Sequence, residues 1–244
     1  LVRSPCNNAC PAGVDVPDYL TLAAEDRYAE ALAVIQMRNP LVSVCGRVCD
    51  HPCEHRCRRA DIDEPLSIRD IKRHVTDTVA APWRPPEAWT GHETQHRVAV
   101  IGAGPAGLTC AYFLRFFGHR ATIFEALPEP GGMLRVGIPR YRLPDERLKL
   151  DVDFILSTGV DLKLDSPVAR LEDLFAAGFE AVFLGVGAHE STPLKGLDTA
   201  APGVLDGVRY LRDAAFGRMP AELGRTEVVG GGNVAIDAAR SARR

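Results

Sequence analysis

The chain reads as an α/β protein with an all-α N-terminal domain, and three observations predict this. Apolar residues recur at helical spacing across residues 14–80. From Arg97 the pattern changes to an apolar strand, a glycine turn and a helix, RVAVIGAGPAGLTCAYFLRFFG, followed by a second apolar run, ATIFEA. A third segment, TEVVGGGNVAIDAARSARR, repeats the strand–glycine–helix order. Together they imply a helical domain, then a Rossmann-like domain, then the start of a second Rossmann-like domain.

Composition excludes several classes. With 244 residues, 46% hydrophobic and 25% charged, the chain has the make-up of a globular protein of one to three domains. A net charge of -3 gives no whole-molecule field to recruit nucleic acid or anionic membrane. No apolar run reaches the length of a transmembrane helix, so no membrane insertion is expected. A reducing cytoplasm is the expected compartment. Because the chain opens on Leu1 and stops at Arg244 within a helical pattern, it is expected to be a segment of a longer polypeptide.

Taken in order, Tyr19, Leu20, Leu22 and Ala23, then Tyr28, Leu32 and Ile35, mark helical stripes, and Ile68, Ile71, Val75 and Val79 mark another. Residues 1–80 are assigned to the helical domain. The proline-rich stretch 81–96 reads as a linker pinned by Trp83 and Trp89. Residues 97–195 form the first nucleotide-binding domain, with a helix closed by Gly118, a strand ending at Glu125 and a further apolar strand over Ala181 to Gly187. Residues 196–244 begin the second such domain, including a strand TEVV before Gly230.

Six of the seven cysteines lie between Cys6 and Cys57, and Cys45, Cys49, Cys53 and Cys57 recur every fourth residue. A disulfide scaffold would spread them through a short secreted chain, whereas all but Cys110 sit in the first quarter of this 244-residue chain. Zinc competes, since His51 and His55 stand within the repeat. Iron–sulfur ligation is preferred because Cys10–Pro11 echoes the Cys-Pro ending of ferredoxin runs and thiolate-rich sites favour such clusters. An unbroken helix would hold Cys45 and Cys57 about 18 Å apart, too far to share one cluster. Bends are therefore expected, at Gly46 and Pro52. Cys110 is read as a small apolar residue of the following helix. Arg47, Arg56, Arg58 and Arg59 crowd the thiols, either as a solvated face or as compensation for an anionic cluster.

Gly102, Gly104 and Gly107 fit G-x-G-x-x-G, in which backbone amides and a helix N-terminus meet a pyrophosphate. Glu125, 23 residues beyond Gly102, stands where an acid would meet ribose hydroxyls. Gly230, Gly232 and Ala235, with Asn233 and Val234 between them, form a second turn of G-x-G-x-x-A type. The residues that would separate NADH from NADPH lie after the next strand and are not in the chain.

The segments SPCNNACPAG, CGRVCDHPCEHRC, GAGPAGL, PGGMLRVGIPRYRLP and GGGNVAIDAARSARR together resemble the glutamate synthase small-subunit family and the similar N-terminal region of dihydropyrimidine dehydrogenase. The resemblance covers essentially the whole chain, and it implies FAD at the first nucleotide site, NAD(P)H at the second and [4Fe-4S] clusters in the helical domain. It further implies that Gly102, Ala103, Gly104, Pro105, Ala106, Gly107 and Glu125 hold the FAD pyrophosphate and ribose. Gly132, Met133, Leu134, Arg135, Ile138, Pro139, Arg142 and Gly187 would line the flavin.

Two departures reduce the cluster count. Leu1 stands where the family has the second cysteine of an early pair, which strips Cys6 and Cys57 of partners. Lys72 stands where the other cluster takes an acid or amide, and an ammonium has no lone pair to give. The expectation is one [4Fe-4S] cluster on Cys10, Cys49 and Cys53, with Cys45 as fourth ligand, Cys6 and Cys57 being the remaining candidates. The implied function is an NAD(P)H-dependent flavin and iron–sulfur oxidoreductase exchanging electrons with a partner subunit, domain or ferredoxin inside a hetero-oligomeric complex such as glutamate synthase, formate dehydrogenase or hydrogenase. No separate catalytic side chain is assigned. The alternative is a non-catalytic docking and relay module of a larger dehydrogenase. A thiol–disulfide flavoenzyme is disfavoured, since no Cys-x-x-Cys or Cys-x4-Cys pair follows Gly102.

Overall fold

Two helices packed on a glycine set the geometry of the cysteine segment. In the computed structural model, which describes residues 3–85, 93–192, 196, 198, 201–219 and 223–243, helix α4 (Val42–Val48) lies against α5 (Ile68–Thr78). A Cβ on Gly46 would stand 3.0 Å from the Arg73 Cα, so the absent side chain lets the two backbones close. Gly46 therefore serves helix packing and is not the bend expected there. The turn comes later: α4 ends as Cys49 becomes extended, and His51 takes a positive φ of 44°. A short 3-10 helix, Glu54–Arg56, then carries the chain from Cys53 to Cys57. Pro52 lies inside this turn, as its inability to continue a helix requires.

Around this pair stand α1 (Pro5–Ala9), α2 (Val16–Ala24) and α3 (Tyr28–Gln36). Ser4 and Asp15 accept backbone N–H bonds at the starts of α1 and α2, as N-cap residues do. Asn7 ties the two together by accepting from the Val16 amide at 2.8 Å and donating to Asp15. Trp83 is buried and donates its indole N–H to the Val79 carbonyl at 3.2 Å, so it anchors the segment after α5. Trp89, its expected companion, lies outside the described residues, as does Leu1.

The sheet is parallel throughout. Among the described residues β1 (Arg97–Ile101), β2 (Arg120–Phe124), β3 (Asp161–Lys163) and β4 (Ala181–Leu184) lie in the order β3-β2-β1-β4. Helix α6 (Pro105–Phe116) crosses from β1 to β2. It ends at Phe117 with Gly118 at a φ of 82°, and the His119 amide reaches back to the Leu114 carbonyl at 2.9 Å, a left-handed C-terminal closure. The short α7 (Met133–Val136) and the longer α8 (Asp145–Ser157) follow β2, and α9 (Leu171–Ala176) precedes β4. Among the described residues the apolar strand β4 lies at the edge of the sheet, with Leu184 59% exposed. Thr226–Val229, expected as a strand, pairs with no ladder among the described residues. Helices α10 (Gly207–Ala215) and α11 (Asn233–Ala242) pack through Tyr210, Leu211 and Ala238.

The helical and sheet halves share one hydrophobic core. Val42, Ile68 and Val75 from the first belong to the same cluster as Leu108, Tyr112, Phe154 and Ile155 from the second. The Tyr112 hydroxyl donates to the Gln36 carbonyl at 2.8 Å across this boundary. Cys110 packs at the edge of the core, and burial pushes its thiol pKa up, which suits the small apolar role expected of it.

Candidate functional site

The glycine turn after β1 is built from contacts that only glycine permits. Gly102 has a φ of 99°, and a Cβ there would stand 2.5 Å from the Gly185 carbonyl oxygen. A Cβ on Gly107 would sit 1.8 Å from the Gly102 carbonyl oxygen, so this glycine lets α6 seat against the turn. Gly104 differs: a Cβ there meets only the Gly132 Cα, at 3.8 Å. The space in front of the α6 N-terminus is thus open, as a pyrophosphate requires. Gly132 closes the other side, with a φ of 52° and no room for a Cβ beside Gly104, and the Gly131 amide donates to the Ala103 carbonyl at 2.8 Å. The GAGPAG and GGML segments therefore form one backbone cradle.

Glu125 directly follows β2. It is buried, accepts from the Ala103 amide at 2.6 Å through one oxygen and from the Leu127 amide at 2.9 Å through the other. Its carboxylate thus holds the glycine turn in shape. Of the side chains expected to line a flavin, Met133 and Leu134 open α7, with Ile138 and Pro139 just beyond it. Arg135 is committed elsewhere, in ion pairs with Glu129 at 2.7 Å and Asp145 at 3.3 Å and a bond to the Pro130 carbonyl. Arg142 pairs with the buried Asp237 of α11, which also accepts from the Tyr141 hydroxyl at 3.2 Å. These two side chains tie the first nucleotide-binding unit to the second. Gly187 follows β4 with a φ of 69°.

At the second turn Gly230 has a φ of 130° and approaches Ala235, whereas a Cβ on Gly232 would meet nothing within 4 Å. Asn233 is the first residue of α11 and Val234 the next, so this turn also opens onto a helix start.

The cysteines come from two separate stretches, and among the described residues no three Cys, His, Asp or Glu side chains stand together as a group that could hold a metal ion. Burial pushes the Cys53 thiol up, Lys72 opposes that, and the neighbouring Cys10 and Cys49 add to it. Burial likewise raises Cys45, again opposed by Lys72, with Cys49 close by. Tyr19 is fully buried against the same group: its phenol is raised by burial first, then by Cys53, Cys10 and Cys6. The Cys49 sulfur accepts from the His51 amide at 3.3 Å, a bond that the positive φ of His51 makes possible. Cys6 shares a 3.1 Å bond with Ser4, and every cysteine is a free thiol. Lys72 is 8% exposed, with Nζ 6.0 Å from the Tyr19 ring centre and no carboxylate within ion-pair distance among the described residues. A buried cation with no acid beside it matches a group of thiols that ionise on binding metal. The donor set is sulfur throughout, which suits an iron–sulfur centre.

Sequence reasoning passed over Asp151 and Asp77. Asp151 is completely buried and accepts from the Ser43 and Val44 amides at 3.0 and 2.8 Å, one turn of chain from Cys45. Burial raises its carboxyl to about 7, against the opposing bonds from Val44 and Ser43. Its signal was an acid on an apolar stripe, between Leu148 and Ile155 of α8. Asp77 joins Arg47 at 2.6 Å, Arg147 at 3.0 Å and Arg73 at 3.5 Å.

A parallel sheet with a glycine cradle at the end of its first strand, a second glycine turn opening another helix, and a thiol-rich helical unit define a nucleotide-binding oxidoreductase with an attached electron-carrying domain. Comparison with known proteins gives the family. Residues 96–244 match the model described as Pyridine nucleotide-disulphide oxidoreductase, and the chain belongs to that family. Residues 2–82 match Dihydroprymidine dehydrogenase domain II, 4Fe-4S cluster. The cofactor classes are those of these domains: a [4Fe-4S] cluster, FAD and NAD(P). The chain is 44% identical to the NADP(+)-dependent formate dehydrogenase subunit beta of Moorella thermoacetica over 100% of its own length and 38% of the relative's. It is 45% identical to the NADPH-Fe(3+) oxidoreductase subunit beta of Geobacter sulfurreducens, covering 99% of the chain and 37% of the relative. The Glutamate synthase [NADPH] small chain of Escherichia coli is 35% identical over 98% of the chain and 54% of the relative, in keeping with the resemblance read from the motifs. The chain thus spans little more than a third of the first two relatives. A histamine dehydrogenase structure from Rhizobium sp. 4-9 matches 44% of this chain and 17% of its own, at 32% identity and a TM-score of 0.34, a superposition too partial to carry an argument. Among the described residues no helix is long and apolar enough to cross a membrane.

Proposed function

We propose that this chain passes electrons between NADPH and a partner subunit or domain of a larger oxidoreductase complex. FAD and a [4Fe-4S] cluster, when bound, supply the conversion between a two-electron hydride and single electrons. The observation that carries the reading is the joining, within one shared core, of an open glycine cradle to a cysteine-rich helical unit that matches a 4Fe-4S domain. The backbone of Gly102, Ala103, Gly104, Pro105, Ala106 and Gly107 holds a pyrophosphate, with Glu125 fixing the Ala103 amide and meeting the ribose. Gly132, Met133, Leu134, Ile138, Pro139 and Gly187 border the flavin ring. Arg135 and Arg142 act on that border through their ion pairs with Glu129, Asp145 and Asp237. Gly230, Gly232, Asn233, Val234 and Ala235 take the nicotinamide nucleotide.

For the cluster, Cys10, Cys49 and Cys53 with Cys45 as fourth ligand form the proposed set. Support comes from the match of residues 2–82 to a 4Fe-4S domain and from the all-sulfur donors these four residues offer. Lys72 then stands as a buried counter-charge. Cys6 and Cys57 are left outside the set. NADPH is favoured by relatives named for NADP(+) or NADPH, and a subunit partner by relatives named as subunits. The free thiols suit a reducing compartment such as the cytoplasm.

Purified protein should carry flavin absorbance, reduce an artificial acceptor with NADPH, and contain about four irons and four sulfides per chain, the content of one cubane. Absence of flavin and of NADPH-driven acceptor reduction would end the reading. About eight irons per chain would replace the one-cluster assignment by two.

A further inference from the structure

The first turn of α4 is capped from a distant part of the chain. Its N-cap residue, Leu41, offers no side-chain acceptor, and Val42, Ser43 and Val44 are buried, so their amides cannot turn to water. Asp151 of α8, more than a hundred residues later, supplies the acceptors: Oδ1 takes the Ser43 amide at 3.0 Å and Oδ2 takes the Val44 amide at 2.8 Å. Cys45 is the next residue, and the helix runs from there to Cys49.

The same helix α8 touches the flavin side. Leu148, three residues before Asp151 and so on the same face, lies where a Cβ on Gly131 would fall, 2.7 Å from its Cδ2. Gly131 in turn donates to Ala103 of the glycine turn, and Gly132 abuts Gly104. One face of α8 thus bears on the nucleotide cradle at Leu148 and on the cysteine helix at Asp151. Close-packed protein interiors transmit strain rather than absorb it.

We propose that Asp151 is a positioning residue for electron transfer between the two cofactor sites, fixing Cys45 and Cys49 relative to the flavin cradle through the first-turn amides of α4. The inference rests on the flavin and cluster reading above. Asp151→Asn keeps the shape of the side chain but sets an NH2 donor against an N–H donor. Asp151→Ala leaves both amides without an acceptor.

In the full-length holoprotein, both variants should reduce bound flavin with NADPH at a rate within about twofold of wild type. Transfer from reduced flavin to the iron–sulfur centre should slow at least tenfold, the electron paramagnetic resonance signal of that centre should change shape, and the Ser43, Val44 and Cys45 amides should lose protection from hydrogen exchange. A variant that melts earlier yet keeps the wild-type signal, transfer rate and amide protection would overturn the positioning role. If both variants fail to fold, wild-type exchange decides: the Ser43 and Val44 amides should open together with α8, and independent opening would overturn the inference. A wild-type protein lacking flavin reduction by NADPH would instead strike at the underlying functional reading.

Discussion

Gly104 and Gly107 are two glycines of one motif that do different work, and substitution separates them. A methyl on Gly107 collides with the Gly102 carbonyl, so Gly107→Ala should force α6 off the turn, lower stability by about 1–3 kcal/mol and leave the purified protein short of flavin. A methyl on Gly104 meets no atom closer than 3.8 Å. Gly104→Ala should therefore melt near the wild-type temperature while binding flavin about tenfold more weakly, about 1.4 kcal/mol, because the methyl occupies the space a phosphate needs. Thermal melts and flavin titration of the two variants check the contrast. Lys72 teaches a similar lesson about residue type. The family resemblance presents it as a lost ligand, whereas the structure shows a buried side chain whose Nζ lies 6.0 Å from the Tyr19 ring centre.

Helix α5 is the element on which the cysteine segment is mounted. It carries Lys72 toward the thiols, admits α4 at Gly46, and presents Asp77 to three arginines. Gly46→Ala should push α4 from α5 and cost about 1–3 kcal/mol in urea denaturation, since the neighbour it would meet is backbone and cannot rotate away. Asp77 links α5 to Arg47 of α4 and Arg147 of α8. Burial alone would raise its pKa, but the bond and charge of Arg47, with Arg147 and Arg73, hold it below the usual carboxylate range. A carboxylate depressed in the folded state contributes stability above its unfolded pKa, near 4, and loses it as pH falls through the folded value. The stability gap between wild type and Asp77→Asn should therefore be constant at neutral pH and close below about pH 4. Denaturant midpoints measured across that range test it; a gap that persisted in acid would assign the effect to packing.

For the whole molecule, the shared core is the main consequence. Tyr112, Phe154 and Ile155 of the nucleotide-binding half are buried against the same cluster as Val42, Ile68 and Val75 of the helical half. Two units joined by a linker would unfold separately. Here calorimetry and hydrogen exchange should report one transition for both, and two independent transitions would contradict the continuous core. Arg142 and Tyr141 make a further bridge to α11 through Asp237.

Local chemistry was legible in the sequence. Glycine spacing around Gly102 and Gly230 announces nucleotide turns because the backbone angles and close approaches there admit no side chain. The cysteine repeat announces a 4Fe-4S domain, and Pro52 a break in the helix. The periodicity of Leu148, Val152 and Ile155 announces a buried helix face but not what Asp151 does on it. That required the fold, because its partners lie in α4, more than a hundred residues away, and a buried carboxylate is stable only against specific amides. Gly46 is the same case in reverse: read along the chain it is a bend, and only the position of Arg73 makes it a packing contact. What the sequence determined by itself is the order of the cysteine-rich and nucleotide-binding units and the classes of cofactor they take, since these follow from local backbone and donor chemistry. Tertiary structure alone decided how the units are coupled, since burial and long-range hydrogen bonding have no periodicity to read.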